Sequence, residues 1–258
     1  MHLYIEFLGR EIPTYSVMIL LGGITANLLA LYFVKRDHLN LYDMIILEAD
    51  IVLGGALGAK GLFLWVNRDR IDWSRFFEPE YFDLLMKAGL VFYGGLIGGL
   101  FMVFLCKIIH HIEVERYVRT LCFSIPWVHA FGRVGCFMAG CCYGIPYSGP
   151  GAVVFPEDCY APAGISLFPI QLLEAGCLML LALFLLYLSI RGKYTYTLEV
   201  YLVLYAVLRF FLEELRYDSD RGYMGPFSTS QWISIILLIL SAYLFWKQKR
   251  VQIETKNI

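Results

Sequence analysis

The sequence predicts an all-α, polytopic integral membrane protein of about seven transmembrane helices. Three observations predict it. Hydrophobic residues make up 59% of 258 and charged residues only 17%. Mean hydropathy is +0.63. Several windows supply the roughly 20 apolar residues a helix needs to cross the hydrocarbon core. In order, the expected spans are residues 15–34, 44–66, 90–110, 118–142, 170–190, 197–215 and 228–246. They form one transmembrane domain, 1–258. The longest polar segments, 67–88 and 143–169, are read as external loops. The second is rich in proline and glycine and has no Lys or Arg, which suits an ordered re-entrant or lid-like loop.

The net charge of −1 excludes little, but the placement of Lys and Arg is informative. One side of the membrane holds Lys35, Arg36, Lys107, Arg116, Arg119, Arg191, Lys193, Lys247, Lys249, Arg250 and Lys256. The other holds Arg10, Arg68, Arg70, Arg75, Lys87, Arg216 and Arg221, several with acidic neighbours. The expectation is an N-terminus outside and a C-terminus in the cytoplasm, with no cleavable signal peptide in residues 1–13. No nucleotide-binding loop, metal motif or nucleic-acid patch appears, so no cofactor and no nucleic-acid partner are expected.

Ionisable groups inside the spans carry the chemical information, because a charge facing lipid is costly and such groups usually line a functional path. Span two has Glu48, Asp50 and Lys60, span four Arg133, span five Glu174, and span six Arg209 with Glu213 and Glu214. Arg209 and Glu213 are four residues apart, on one helical face, where they can pair. Glu48 and Asp50, near a span end, read as structural. Arg133 and Arg209 lie in different spans with no obvious surplus of carboxylates. Their planar guanidinium forks match phosphate oxygens, which points to a phospholipid head group and so to a central lipid-binding cavity among the helices. Glycines recur beside them: Gly54, Gly55 and Gly58, then Gly94, Gly95, Gly98 and Gly99, then Gly132, Gly135 and Gly140. Packing through Gly95 and Gly99 suits the third span. In the fourth, packing and distortion beside a ligand are both open.

The motifs resemble those of the prolipoprotein diacylglyceryl transferases, integral membrane enzymes of bacteria. Tyr15-Ser-Val-Met18 is similar to that family's Tyr-Gly-Leu-Met, and Leu57-Gly-Ala-Lys60 to its Leu-Gly-Ala-Arg. Tyr93-Gly94-Gly95-Leu-Ile-Gly98 resembles its His-Gly-Gly-Leu-Ile-Gly, and Gly132-Arg133-Val-Gly135 begins its signature. Pro169-Ile-Gln171-Leu-Leu-Glu174 is similar to Pro-Ser-Gln-Leu-Tyr-Glu. Arg209-Phe-Phe-Leu-Glu213, Arg216 and Gln231 match its last motif.

The resemblance implies transfer of the diacylglyceryl group of phosphatidylglycerol to the cysteine thiol of a prolipoprotein, releasing glycerol phosphate. It implies that Arg133, Arg209, Tyr93 and Glu213 are catalytic. By the same carry-over, Tyr15, Lys60, Gly94, Gly95, Gly132, Gly135, Gln171, Glu174 and Arg216 bind substrate. The partners it implies are phosphatidylglycerol, a prolipoprotein or other thiol-bearing acceptor, and membrane lipid.

Where the family has Asn, Asn and Glu, this chain has Cys136, Ala139 and Cys141, and Tyr93 replaces a His. A phenol with a pKa near 10 is a poor general base but can donate a hydrogen bond. His129, two helical turns before Cys136, is either a substitute base or a structural group. The thiols have three readings: packing, a soft-metal site built from Cys141, Cys142, Cys159 and His129 in a spacing that matches no zinc pattern, or a transient nucleophile. A disulfide between Cys142 and Cys159 is a further possibility. Two other functions stand beside the first: the same donor with a different thiol or hydroxyl acceptor, and a lipid or solute transporter.

Overall fold

The computed structural model describes residues 3–7, 9–217 and 222–256, so Arg221 of the charge pattern lies outside the described residues. It divides into two compact units, Met1–Phe33 with Val118–Ile258, and Val34–Tyr117.

The first unit opens with a hairpin, β1 (Tyr4–Phe7) paired antiparallel with β2 (Arg10–Pro13), which feeds α1 (Thr14–Arg36). On α1, Leu20, Ile24 and Leu28 recur at every fourth residue and are all exposed. Such an apolar stripe suits lipid rather than water. After α2 (Leu41–Val66), α3 (Pro79–Lys87) and α4 (Phe92–Ile109) of the second unit, the chain returns through α5 (Val114–Thr120) to α6 (Ser124–Ala139). One continuous span was expected over 118–142. Instead α5 and α6 meet at 58°. Pro126 explains the break: it has no N–H to give, and its ring would clash with the carbonyl four residues earlier in a continuous helix. Then come α7 (Ile170–Ile190), α8 (Thr197–Leu212) and α9 (Thr229–Lys256), with α6 packed on α7, α7 on α8 and α8 on α9.

Each expected span thus has a helical counterpart, but the expected length does not hold everywhere. Among the described residues, α1, α2, α7 and the Thr229–Arg250 part of α9 are long and apolar enough to cross a membrane, and the bent α5–α6 pair makes a fifth if it counts as one span. The apolar part of α4, Tyr93–Ile109, is shorter. α8 ends at Leu212 after 16 residues and passes into a 3-10 turn, Glu213–Leu215.

Segment 143–169 carries a short strand pair and a small core of its own. Strands β3 (Val153–Val154) and β4 (Ser166–Leu167) pair, and Phe155, Ala161 and Leu167 form a small buried core with Phe137 of α6 packed against it. Further on, β5 (Tyr223–Met224) pairs with β6 (Phe227–Ser228). Ser228 and Gln231 then form a reciprocal cap at the start of α9: the Gln231 N–H donates to Ser228 Oγ at 3.2 Å, and the Ser228 N–H donates to Gln231 Oε1 at 3.0 Å.

Buried in the same unit, Arg119 forms a two-pronged pair with Glu199, Nη1 to Oε2 at 2.7 Å and Nη2 to Oε1 at 2.8 Å, and also donates to the Thr195 carbonyl. The charge pattern counted Arg119 only as one of the cations on one side of the membrane. It is instead a tie between the α5 end and α8.

In the second unit, α2 and α4 approach through small residues. A methyl on Gly58 would sit 3.0 Å from Gly98 Cα, and one on Gly98 would sit 3.1 Å from Gly58 Cα. Gly54 and Gly94 are equally tight, and Gly95 of the expected pair also packs closely, a methyl there sitting 3.2 Å from the Gly55 carbonyl oxygen; Gly99 is looser, at 3.7 Å from the Ile51 carbonyl oxygen. Lys60 Nζ donates to three carbonyls at the end of α3, Leu85 at 3.0 Å, Ala88 at 2.6 Å and Gly89 at 3.0 Å. An ammonium has three N–H donors, so all of them are engaged there. Cys106 Sγ donates to Asp50 Oδ2 at 3.0 Å, with His110 Nε2 3.6 Å from the same oxygen.

Candidate functional site

The site is built at the ends of α6, α7 and α8. Gly132 and Gly135 on α6 allow α1 to lie close: a methyl on Gly135 would be 3.0 Å from Tyr15 Cα, and one on Gly132 2.9 Å from Ile19 Cδ1. Both glycines therefore serve helix packing, and α6 is continuous through them. The close approach sets Tyr15 within electrostatic reach of Arg133, Cys136, Cys141 and Cys142.

Arg133, on the helix that the glycines position, meets Glu174 of α7, with Nη2 3.0 Å from Oε1. Glu174 also lies 3.8 Å from Arg209 Nη1 of α8 through Oε2. Arg209 Nη2 in turn pairs with Glu213 Oε2 at 2.7 Å, the i, i+4 pair expected, and donates to Ser230 Oγ at 3.0 Å. The arginines are thus not short of carboxylates, contrary to expectation: two guanidinium and two carboxylate groups are gathered in a buried, electrically balanced quartet.

Balanced charge does not use up the hydrogen bonds. Among the described residues, Arg133 Nε and Arg209 Nη1 are buried and find no hydrogen-bond partner, and Gln171 Oε1 finds none either. Glu174 Oε1 contacts Arg133 as an ion pair outside hydrogen-bond alignment. A buried donor left unmade costs about 1–3 kcal/mol, and more for a charged group. Two such donors on neighbouring arginines therefore mark a site suited to an anion with several oxygens, such as a phosphate ester.

The remaining sequence-predicted residues sort by location. Gln171 donates through Nε2 to the Cys141 carbonyl at 2.8 Å, which ties α7 to the end of α6. Arg216 lies just past the 3-10 turn, where its backbone bridges to Gly144. Tyr93, Lys60, Gly94 and Gly95 all belong to the second unit. His129 is one turn before Arg133, within electrostatic reach of Arg133, Glu174 and Arg209, with its ring 5.8 Å from that of Tyr205.

Among the described residues all seven cysteines are free, so the possible Cys142 to Cys159 disulfide is not formed. Cys159 packs in the loop core, where burial and then the Asp158 carboxylate raise its thiol pKa above the ordinary value. Sequence reasoning missed Ser230, which adjoins Gln231 of the last motif. It also missed the role of Glu174 as a bridge between two arginines.

Comparison with known proteins bears on this site. Residues 3–247 match the family model described as prolipoprotein diacylglyceryl transferase. A Clostridium perfringens protein named phosphatidylglycerol–prolipoprotein diacylglyceryl transferase 2 is 35% identical over 248 residues, covering 93% of this chain and 92% of its own. A Clostridium tetani protein of the corresponding name is 35% identical over 245 residues, covering 93% and 94%. One from Finegoldia magna is 28% identical over 253 residues, covering 94% and 93%. With motifs, membrane-type helices and near-complete coverage in agreement, this chain belongs to the prolipoprotein diacylglyceryl transferase family.

Proposed function

We propose that the protein is a transferase of the bacterial cell membrane that moves the diacylglyceryl group of phosphatidylglycerol to the cysteine thiol of a prolipoprotein. The thiolate sulfur attacks the glycerol carbon that bears the phosphate ester. A C–S bond forms as the C–O bond breaks, the electron pair leaves on the oxygen of glycerol phosphate, and the thiol proton passes to a base.

Negative charge concentrates on the departing phosphate, and donors aimed there lower the barrier because they are held in place before the reaction. The observation that carries this reading is the pair of unspent donors, Arg133 Nε and Arg209 Nη1, in a quartet whose charges are already balanced. Arg133 and Arg209 are assigned to the phosphate. Glu213 and Glu174 orient them, and Gln171 and Tyr15 line a head-group cavity. Arg216 is assigned to the same cavity. Tyr93, in the place of the family's histidine, is assigned as a hydrogen-bond donor rather than a base. Seven spans with the N-terminus outside and the C-terminus in the cytoplasm complete the proposal, with segments 67–88 and 143–169 external.

A second reading, the same donor with another thiol or hydroxyl acceptor, has one observation in its favour. Cys136, Ala139 and Cys141 replace polar residues of the signature, and Tyr93 replaces a histidine. Purified protein in vesicles of phosphatidylglycerol, labelled separately in the acyl chains and the head-group glycerol, tests both readings against a lipobox peptide. The first predicts acyl label on the peptide cysteine and one glycerol phosphate released per peptide. Head-group release only with a different acceptor supports the second, and no release from any mixture contradicts both.

A further inference from the structure

The thiols of Cys136, Cys141 and Cys142 lie within 4.8 Å of one another. Their convergence has a local cause. The helix α6 ends in a Schellman turn: the Cys141 N–H donates to the Cys136 carbonyl at 3.1 Å and the Gly140 N–H to the Phe137 carbonyl at 3.2 Å. Gly140 takes the left-handed conformation, φ +73°, that this turn needs. Such turns bring the side chains three before and two after the closing residue together, here Cys136 and Cys141.

Cys142 is different. It is a non-glycine residue at φ +54°, where an L side chain is rarely found. That conformation turns the chain back after Cys141 and lets two adjacent cysteines place their sulfurs in one cluster. Adjacent cysteines in ordinary extended chain would point apart. Cys159 and His129, which the sequence offered as partners for Cys141 and Cys142, do not join the cluster; Cys136 does.

We propose that Cys136, Cys141 and Cys142 form a binding site for a soft, three-coordinate metal cation of the copper(I) class. Thiolate sulfur selects soft metals. A metal–sulfur bond of about 2.3 Å places three sulfurs around one trigonal ion roughly 4 Å apart, which the 4.8 Å bound on the present spacing accommodates. Among the described residues no fourth His, Cys, Asp or Glu completes a tetrahedron, which disfavours a structural zinc ion. Arg133 interacts electrostatically with Cys136 and Cys142, and Arg216 with Cys142. Those cations offset the negative charge of three thiolates. Binding releases the thiol protons and forms three metal–sulfur bonds with no change of oxidation state. The proposal does not depend on the transfer reaction.

The test uses the full-length protein, purified anaerobically in detergent and titrated with copper(I) against a competing chelator. The expected result is one tightly bound copper(I) per chain. Cys136→Ser, Cys141→Ser and Cys142→Ser should each weaken binding by more than the roughly 10- to 100-fold that an outer-shell change costs. Cys177→Ser should bind as the unsubstituted protein does. Should the serine variants fold poorly, alkylation of the unsubstituted protein decides: copper(I) should protect Cys136, Cys141 and Cys142 and leave Cys177 reactive. Equal alkylation with and without copper(I), zinc bound in preference to copper(I), or a disulfide within the cluster in the anaerobic protein would each overturn the assignment.

Discussion

Two buried arginine clusters in the same unit use the same charges to different ends. Arg119 and Glu199 meet fork to fork at 2.7 and 2.8 Å, and Arg119 adds a backbone carbonyl. Arg133, Glu174, Arg209 and Glu213 hold equal numbers of opposite charges, yet two guanidinium nitrogens find no hydrogen-bond partner among the described residues. A buried ion pair stabilises a fold only when its geometry is good and its remaining hydrogen bonds are made. The first cluster meets that condition and ties α5 to α8. The second does not, which suits the phosphate-binding role proposed for it. Burial and net charge are alike in the two clusters; the unspent donors are what set them apart.

The comparison can be broken most sharply at Arg133. Removing one preorganised donor from a site of developing negative charge typically lowers turnover by about 100- to 1000-fold. Arg133→Ala and Arg209→Ala should each do so in a vesicle assay of peptide lipidation, and Arg133→Lys should restore little because it lacks the planar fork. Arg119→Ala should instead destabilise the protein by about 3–5 kcal/mol, read as a lower thermal midpoint in detergent, with turnover per folded molecule kept. If Arg119→Ala abolishes turnover at full stability, the distinction fails. Glu213→Gln keeps size but removes the charge that orients Arg209, and about a tenfold loss of kcat is expected from its partial role. Lys60→Met leaves three carbonyls at the end of α3 without their ammonium, at about 1–3 kcal/mol of stability and little change in kcat. Tyr93→Phe, the smallest effect, should lower kcat severalfold without shifting the pH profile, since a hydrogen-bond donor is lost rather than a base.

Much of this was legible in the chain. Apolar runs located α1, α2, α7 and α9, because a 20-residue hydrophobic stretch has few alternatives to spanning a membrane. The i, i+4 spacing located the Arg209 to Glu213 pair. Other features were hidden for physical reasons. The run over 118–142 reads as one apolar segment, and Pro126 is its one cue to a break. Glu174 looked like a lone carboxylate, since its two arginine partners come from helices 41 residues before and 35 after it. Arg119 and Glu199 are 80 residues apart and each reads as a loop or helix-end charge. The convergence of Cys136 with Cys141 and Cys142 depends on a left-handed turn that hydropathy does not register. Glycine spacing found the α2 to α4 contact, Gly95 included, but that Gly94 and Gly98 are the tightest points and Gly99 is looser follows from how two helices rotate against each other.

Binding of labelled phosphatidylglycerol, measured beside uncharged diacylglycerol of the same chains, tests most directly the claim that unspent arginine donors mark the phosphate site. The unsubstituted protein and Arg119→Ala should both prefer the phospholipid, and Arg133→Ala should lose that preference while still binding diacylglycerol. An unchanged preference in Arg133→Ala, or a preference lost equally in folded Arg119→Ala, would contradict it.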